Sequence, residues 1–416
     1  MPEEKSAPDS PTPPPGKLQS SLPHFFAQES EGELLCHRLL EDALEARATD
    51  IHIDPTMTGY LIRFRIDGVL AEVARIERGY GERLVNQFKT ESGIDPGAVI
   101  TPRAARHTHR LHGRELDTRV TLAPCISGQK LAIRMLDPEQ VRHRLGDLGL
   151  SDDGHAKIGR WLASLNGMFL VTGPTGSGKT TTLYALLHEL ASRDRHILTI
   201  EDPVEYEVDG INQIQVDARH GLDFAEGLKA MLRLDPDYLM VGEMRDAESA
   251  AVAARAAISG HVVLSTIHAR DSVSAATALV NLGLSPHQIA VSLAAVVNQR
   301  LIRLLCPHCK RRTSPTAQDK EWLDAAGLEM TGEAWGPLGC EKCKGLGYHG
   351  RTGLFEIWHL EESDYALILG DADERTLRGH LAKAGHRRLV DEGMAAVKRG
   401  ITSLAEVRRV VALQGA

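Results

Sequence analysis

Two hydrophobic rhythms follow one another along this chain. From residue 33, Leu34, Leu35, Leu39, Leu40, Ala43 and Leu44 recur at helical spacing, which predicts that folded structure opens with an amphipathic helix. Residues 60–66 then alternate, with Ile62, Phe64 and Ile66 on one face and Arg63 and Arg65 on the other; 116–122 and 131–135 repeat the pattern around Arg119 and Arg134. This predicts an N-terminal α+β sheet domain over 33–137 with one apolar face and one face bearing arginines. Such a face suits ordinary solvation and anion recognition alike. Past a polar connector at 138–150 the rhythm changes. Short apolar runs at 168–172, 197–200, 238–241 and 262–265 alternate with helix-period stretches over 151–305, the signature of a mostly parallel sheet covered by helices on both faces. Residues 306–350 read as a small cysteine-bearing insertion and 351–416 as a helical end.

Composition narrows the class. The 416 residues suffice for two or three domains, 42% are hydrophobic, and no apolar run is long enough to span a bilayer. Residues 1–32 are rich in proline and small polar residues, so a disordered tail is expected there. The start lacks the charged-then-apolar pattern of a secretory leader, which makes the cytoplasm the expected location. A formal charge of −8 argues against a dedicated nucleic-acid binder.

The sharpest motif is Gly173-Pro174-Thr175-Gly176-Ser177-Gly178-Lys179-Thr180, set between an apolar strand and a helix-like segment beginning at Thr181. Glycines at this spacing let main-chain N–H groups face phosphate oxygens, and the following helix adds positive potential. Lys179 can then reach the terminal phosphates, and Thr180 can ligate Mg²⁺. Ligands of such sheets lie beyond the carboxyl ends of the strands. Polar residues occupy those positions: Glu201, Asp202 and Glu205 after the second strand, Glu243 and Arg245 after the third, and His268 after the fourth. Glu243, closing an apolar strand, suits a carboxylate held near Mg²⁺ and the attacking water. His268, and His261 at the start of the fourth strand, suit phosphate sensing or water ordering. Separately, Cys306-x-x-Cys309 and Cys340-x-x-Cys343 stand 30 residues apart. In a reducing compartment that spacing reads as a closed tetrahedral Zn²⁺ site, structural because no position is left for substrate. Binding of this kind typically supplies about 10 kcal/mol or more of local folding energy. Cys36 and Cys125 read as ordinary reduced residues.

Taken together, residues 173–185, 200–206, 210–216, 239–246, 260–268 and 299–310 resemble the assembly ATPases of type II secretion and type IV pilus systems, and the likeness runs from about residue 33 to the end. The resemblance implies a RecA-like P-loop NTPase domain with a four-cysteine zinc insertion, and a homo-hexameric motor. It would bind ATP and work beside an inner-membrane platform protein, peripheral to that membrane. It also implies roles residue by residue. Lys179 and Thr180 would hold phosphates and Mg²⁺; Glu205 falls in the family's Asp box, Glu243 in Walker B, and His261 and His268 in the His box. Arg119 and Arg134 match first-domain arginines that reach the phosphates, and Arg233 and Arg245 match arginines of the motor domain. Three departures stand out. Only the proline-rich leader precedes the first domain, Ala104-Ala105 replace the Asp-Gly of the family's turn, and Arg270 replaces an Asn. A nucleotide-gated scaffold and a DNA-translocating motor stay open as other classes, the latter disfavoured by the acidic balance.

Overall fold

The computed structural model describes residues 22, 32–97, 100–111, 113–136, 143–164, 166–191 and 195–411. Most of the tail expected over 1–32, and residues 137–142 around the expected linker, lie outside the described residues. The chain divides into two compact units. One comprises Met1–Pro138, Arg303–Ser314 and Gly332–Gly350; the other comprises Glu139–Ile302, Pro315–Thr331 and Arg351–Ala416. The segment expected as a single cysteine insertion therefore divides: both cysteine pairs belong to the first unit and the helix Ala317–Ala326 to the second.

In the first unit, six antiparallel strands form a sheet in the order β3-β2-β1-β6-β5-β4. Their ranges are β1 Ala48–Pro55, β2 Gly59–Ile66, β3 Val69–Glu77, β4 Arg103–Leu111, β5 Arg114–Cys125 and β6 Gly128–Leu136. The predicted alternation is realised: Ile62, Phe64, Val120, Leu122, Leu131 and Ile133 are fully buried and pack under helices α1 (Gly32–Glu45) and α2 (Arg78–Glu91). The arginines emerge on the other face in one row. Arg106, Arg119 and Arg134 are opposite one another on β4, β5 and β6, and Asp50 and Arg65 continue the row across β1 and β2. Asp50 lies 3.2 Å from Arg134 and 3.7 Å from Arg65, so the row is partly neutralised from within. Within the same unit the cysteine segment packs beneath the sheet's core, with Leu346 against the apolar cluster and the Gly350 amide donating to Asp67 at 3.0 Å.

The sheet edge at β4 buries polar groups. Lys89 is fully buried, donating to the Pro96 and Gly97 carbonyls at 3.0 and 2.7 Å. His109 is buried as well, and burial, with the imidazoles of His107 and His37 nearby, pushes it down to about 4.

The second unit is built on a seven-stranded sheet in the order β15-β12-β7-β11-β10-β8-β9. Its central strands are β7 Met168–Thr172, β8 Ile197–Glu201, β10 Tyr238–Val241 and β11 Val262–Ile267, with β9 Asn212–Gln215, β12 Leu293–Leu305 and β15 Tyr348–His359 around them, whereas β13 Arg311–Thr313 and β14 Ala334–Gly336 pair with each other in the first unit. From β12 through β9 the pairing is parallel. Strands covered on both faces should be apolar at every position. Accordingly Met168 and Leu170 enter one core with Leu239, Val241 and Val263, whereas Phe169 and Val171 enter another with Met240, Val262 and Leu264. Of the region expected to be helical over 351–416, residues 351–359 instead belong to β15, and helices follow at Glu362–Leu369, Glu374–Lys383, Leu389–Lys398 and Leu404–Val410.

Candidate nucleotide site

Strand β7 delivers the glycine-rich loop to the carboxyl edge of the parallel sheet. Gly173, Gly176 and Gly178 take φ values of +147°, +77° and +88°. A Cβ at 173 would lie 2.5 Å from the Gln299 carbonyl oxygen and 2.6 Å from Ser177 Oγ; one at 178 would lie 2.8 Å from Gln299 Nε2. The loop therefore folds tightly onto β12, whose register with β7 pairs Asn298 with Thr172. Helix α4 (Lys179–Leu190; α3 is Asp152–Ser164) starts on Gly178 with no side chain capping its first amides, and the buried Ser177 hydroxyl has no hydrogen-bond partner among the described residues. Unpaired donors at a helix start, with glycines keeping the cradle open, fit a polyphosphate.

Lys179 bends back so that Nζ donates to the carbonyls of Gly173 and Pro174 at 2.9 and 3.2 Å. Burial pushes its ammonium below the usual range; Glu243 opposes this and Arg300 adds to it, so both lie within electrostatic reach. Thr180 is exposed on the first turn, while Thr182 is buried and donates to Gln299 Oε1 at 2.7 Å.

The next strand ends complete the edge. Glu243 follows β10, one fifth exposed, with Oε1 2.9 Å from His268 Nε2 and Oε2 accepting from Arg245 Nε at 2.8 Å. Arg245 also approaches Asp202 at 3.6 Å. Asp202, Arg245, Glu243 and His268 thus form one chain of charges across the ends of β8, β10 and β11. The backbone braces it: the Gly242 amide donates to the Ile200 carbonyl at 2.8 Å and the Met244 amide to the Thr266 carbonyl at 3.0 Å.

Other expected site residues are placed differently. Glu201 is buried, and its carboxylate accepts from the Tyr184 hydroxyl, from Thr199 Oγ1 at 2.7 Å and from Gln213 Nε2 at 3.1 Å, so in this structure it ties α4 to β8. Glu205 is exposed on the loop after β8. The sheet's polarity keeps His261 away from the loop of its own chain. His261 precedes β11 and His268 follows it, and six residues at about 3.3 Å each separate them by roughly 20 Å. His261 instead lies 3.2 Å from the Ala256 carbonyl, at the end of the helix Ala247–Ile258. Arg233 lies exposed just past the helix Phe224–Met231, ahead of β10 and hence toward the same far edge. Arg119 and Arg134 belong to the first unit. Two residues given no role from the sequence come forward: Gln299, touching both end glycines of the loop, and Arg300, which donates to Asn298 Oδ1 at 2.8 Å and to the Arg270 carbonyl at 3.1 Å. Their signal was an apolar strand at 293–297 ending in Asn-Gln-Arg, legible only once β12 is known to adjoin β7.

The four cysteines of the first unit converge. Sγ separations are 3.9 Å for Cys306–Cys340, 3.8 Å for Cys309–Cys343 and 3.8 Å for Cys340–Cys343. Four thiolates about 2.3 Å from one Zn²⁺ form a tetrahedron with edges of about 3.8 Å. The amides of Cys340 and Gly347 donate to Cys343 Sγ at 3.2 and 3.1 Å, so that sulfur is held in place by two main-chain donors. The donor set fits zinc.

A parallel sheet carrying a glycine cradle, an uncapped helix start and a braced carboxylate at the next strand end defines a P-loop ATPase. The chain belongs to the type II/IV secretion system protein family, whose model matches residues 27–409. Type II secretion system ATPase E of Vibrio cholerae is 41% identical over 376 residues, covering 90% of this chain and 74% of that protein. Type II secretion system protein E of Pseudomonas aeruginosa is 39% identical over 390 residues, covering 93% and 77%. Among solved structures, the Legionella pneumophila ATPase DotB superposes with a TM-score of 0.65 at 22% identity, over 97% of this chain and 98% of that one. The pilus retraction motor PilT gives 0.58 at 23% identity, over 90% and 96%. At those identities the structures speak for the fold. No helix among the described residues is long and apolar enough to cross a membrane.

Proposed function

We propose that this secretion ATPase hydrolyses ATP with Mg²⁺ as a homo-hexamer, and that the work drives assembly of pilin or pseudopilin fibres through an inner-membrane platform protein. The protein would sit on the cytoplasmic side, held at the membrane by its partners. The braced Glu243 carboxylate at the mouth of the phosphate loop is the observation that carries this reading. A nucleotide-gated scaffold would need the loop but not a carboxylate fixed from two sides.

The amides of 176–180 and the Lys179 ammonium would hold the β and γ phosphates, Lys179 exchanging its two loop carbonyls for phosphate oxygens. Thr180 would hold Mg²⁺, which when bound supplies charge neutralisation. Glu243 would orient the attacking water, kept in place by His268 on one oxygen and Arg245 on the other. Arg119 and Arg134 would add the cations that phosphoryl transfer requires. Glu205 is proposed to help position the nucleotide. Glu201 and Asp202 would act through the scaffold, His261 and Arg233 from the far edge of the sheet, and Zn²⁺ would hold the four cysteines.

Steady-state phosphate release and ATP retention test the site together. Lys179→Ala should lose both. Glu243→Gln should keep ATP while release falls about 100-fold or more. A folded Lys179→Ala variant with normal turnover refutes the assignment. Phosphate release by the wild type decides against a scaffold, which would bind ATP and recruit partners without appreciable hydrolysis, and co-purification with a platform protein tests the fibre-assembly reading.

A further inference from the structure

The first unit buries polar groups that phosphate chemistry does not use. Glu91 ends α2, and His107 and His109 lie two apart on β4, so strand alternation sends both imidazoles to the same side. One ligand atom from each of the three side chains lies within 4.8 Å of the others. His109 Nδ1 is 3.6 Å from Glu91 Oε2, and the two imidazoles meet edge to face with centroids 4.4 Å apart. Gln87 Nε2 donates to Glu91 Oε1 at 2.9 Å and so orients the carboxylate, yet Glu91 Oε2 and His109 Nε2 are buried without a hydrogen-bond partner among the described residues. His109 is only 4% exposed, so water cannot readily serve it. Leaving such atoms unpaired costs on the order of 1–3 kcal/mol each. Glu91 Oε2 faces His109 Nδ1, and 3.6 Å is too long for a hydrogen bond between them. An ion held by Glu91 Oε2 and one nitrogen of each imidazole would satisfy the carboxylate oxygen.

We infer that Glu91, His107 and His109 form a second metal site, for a zinc-class transition-metal ion, distinct from the four cysteines. Two imidazole nitrogens and one carboxylate oxygen suit Zn²⁺, Co²⁺ or Ni²⁺, whereas Mg²⁺ and Ca²⁺ favour oxygen ligands throughout. Tetrahedral ligands about 2.0–2.2 Å from Zn²⁺ lie roughly 3.3 Å apart, so the three side chains close on the ion by small rotations. The site joins the end of a helix to an edge strand, because β4 is the last strand of its sheet. It would clamp the connection between residues 91 and 107, which Lys89 already fastens at Pro96 and Gly97.

The test is zinc per chain in untagged full-length protein purified without chelator. Wild type should carry two equivalents. Cys340→Ser with Cys343→Ser should retain one, and His109→Leu should also retain one, having kept the cysteine site. If His109→Leu fails to fold, His107→Ala at its half-exposed position should give the same count. In the cysteine double variant added Zn²⁺ should raise the melting temperature, an effect that His107→Ala removes. One equivalent in wild type with none in the cysteine variant overturns the proposal, as does a second equivalent that survives both histidine substitutions.

Discussion

The motif makes three loop glycines equivalent, and the geometry separates them. At Gly176 an added Cβ meets nothing within 4 Å, so Gly176→Ala suffers only the left-handed φ of +77°. That strain is about 1–2 kcal/mol for an L-residue. If the unliganded loop relaxes and ATP must restore it, the dissociation constant rises roughly fivefold to thirtyfold. At Gly173 the φ is +147°, and the added Cβ would lie 2.5 Å from the Gln299 backbone oxygen and 2.6 Å from Ser177 Oγ. That oxygen belongs to the main chain of β12 and accepts from Arg300 Nη1 at 2.9 Å, so it cannot swing aside as a side chain can. The loop must leave its phosphate-holding form, so Gly173→Ala should weaken ATP binding by about 100-fold or more, beyond about 2.7 kcal/mol. Gly178→Ala falls between, because its 2.8 Å neighbour is the Gln299 side-chain amide, which can move once its bond to Thr182 breaks. The assay is equilibrium binding of a fluorescent ATP analogue, with melting curves to confirm each variant folds. Equal losses at 173 and 176, or the reverse order, would refute the claim that β12 sets the shape of the cradle.

Two further outcomes follow from other regions. Replacing Cys340 and Cys343 by Ser should release one zinc equivalent and open 303–314 and 332–350 to limited proteolysis; an unchanged digestion pattern would contradict a structural role for the metal. Glu356 is buried, which alone would raise it, yet His386 at 3.8 Å and the hydroxyl and amide of Ser272 hold it down to about 2. Its folded value is depressed, so its stabilisation, on the order of 3 kcal/mol, is complete above about pH 4.5 and fades as pH falls toward about 2. Urea midpoints taken from about pH 7 to about pH 3 should drop more for wild type than for Glu356→Gln, and parallel curves would rule this out.

Much of the architecture was legible because it is written locally. The alternation at 60–66 and 131–135 reflects a sheet with one buried face, and the unbroken apolar runs at 168–172 and 238–241 reflect one buried on both. The phosphate loop, the carboxylate after β10 and the paired Cys-x-x-Cys knuckles are short motifs whose geometry is fixed within a few residues. Their assignment needed little knowledge of distant neighbours.

What the chain order could not express is which ends of the strands share an edge and which side chains fill one another's hydrogen bonds. His261 and His268 look equivalent beside one strand, but a six-residue strand sends them to opposite edges of the sheet. Glu201 looks like its acidic neighbours until Tyr184 on α4 and Gln213 on β9 close over its carboxylate. Gln299 gains its place only because β12 lies beside β7, and Glu91 meets His109 only because a helix end lands on an edge strand. Periodicity records whether a residue faces core or solvent; it holds no record of partners, since those depend on strand order and on packing across tens to hundreds of residues.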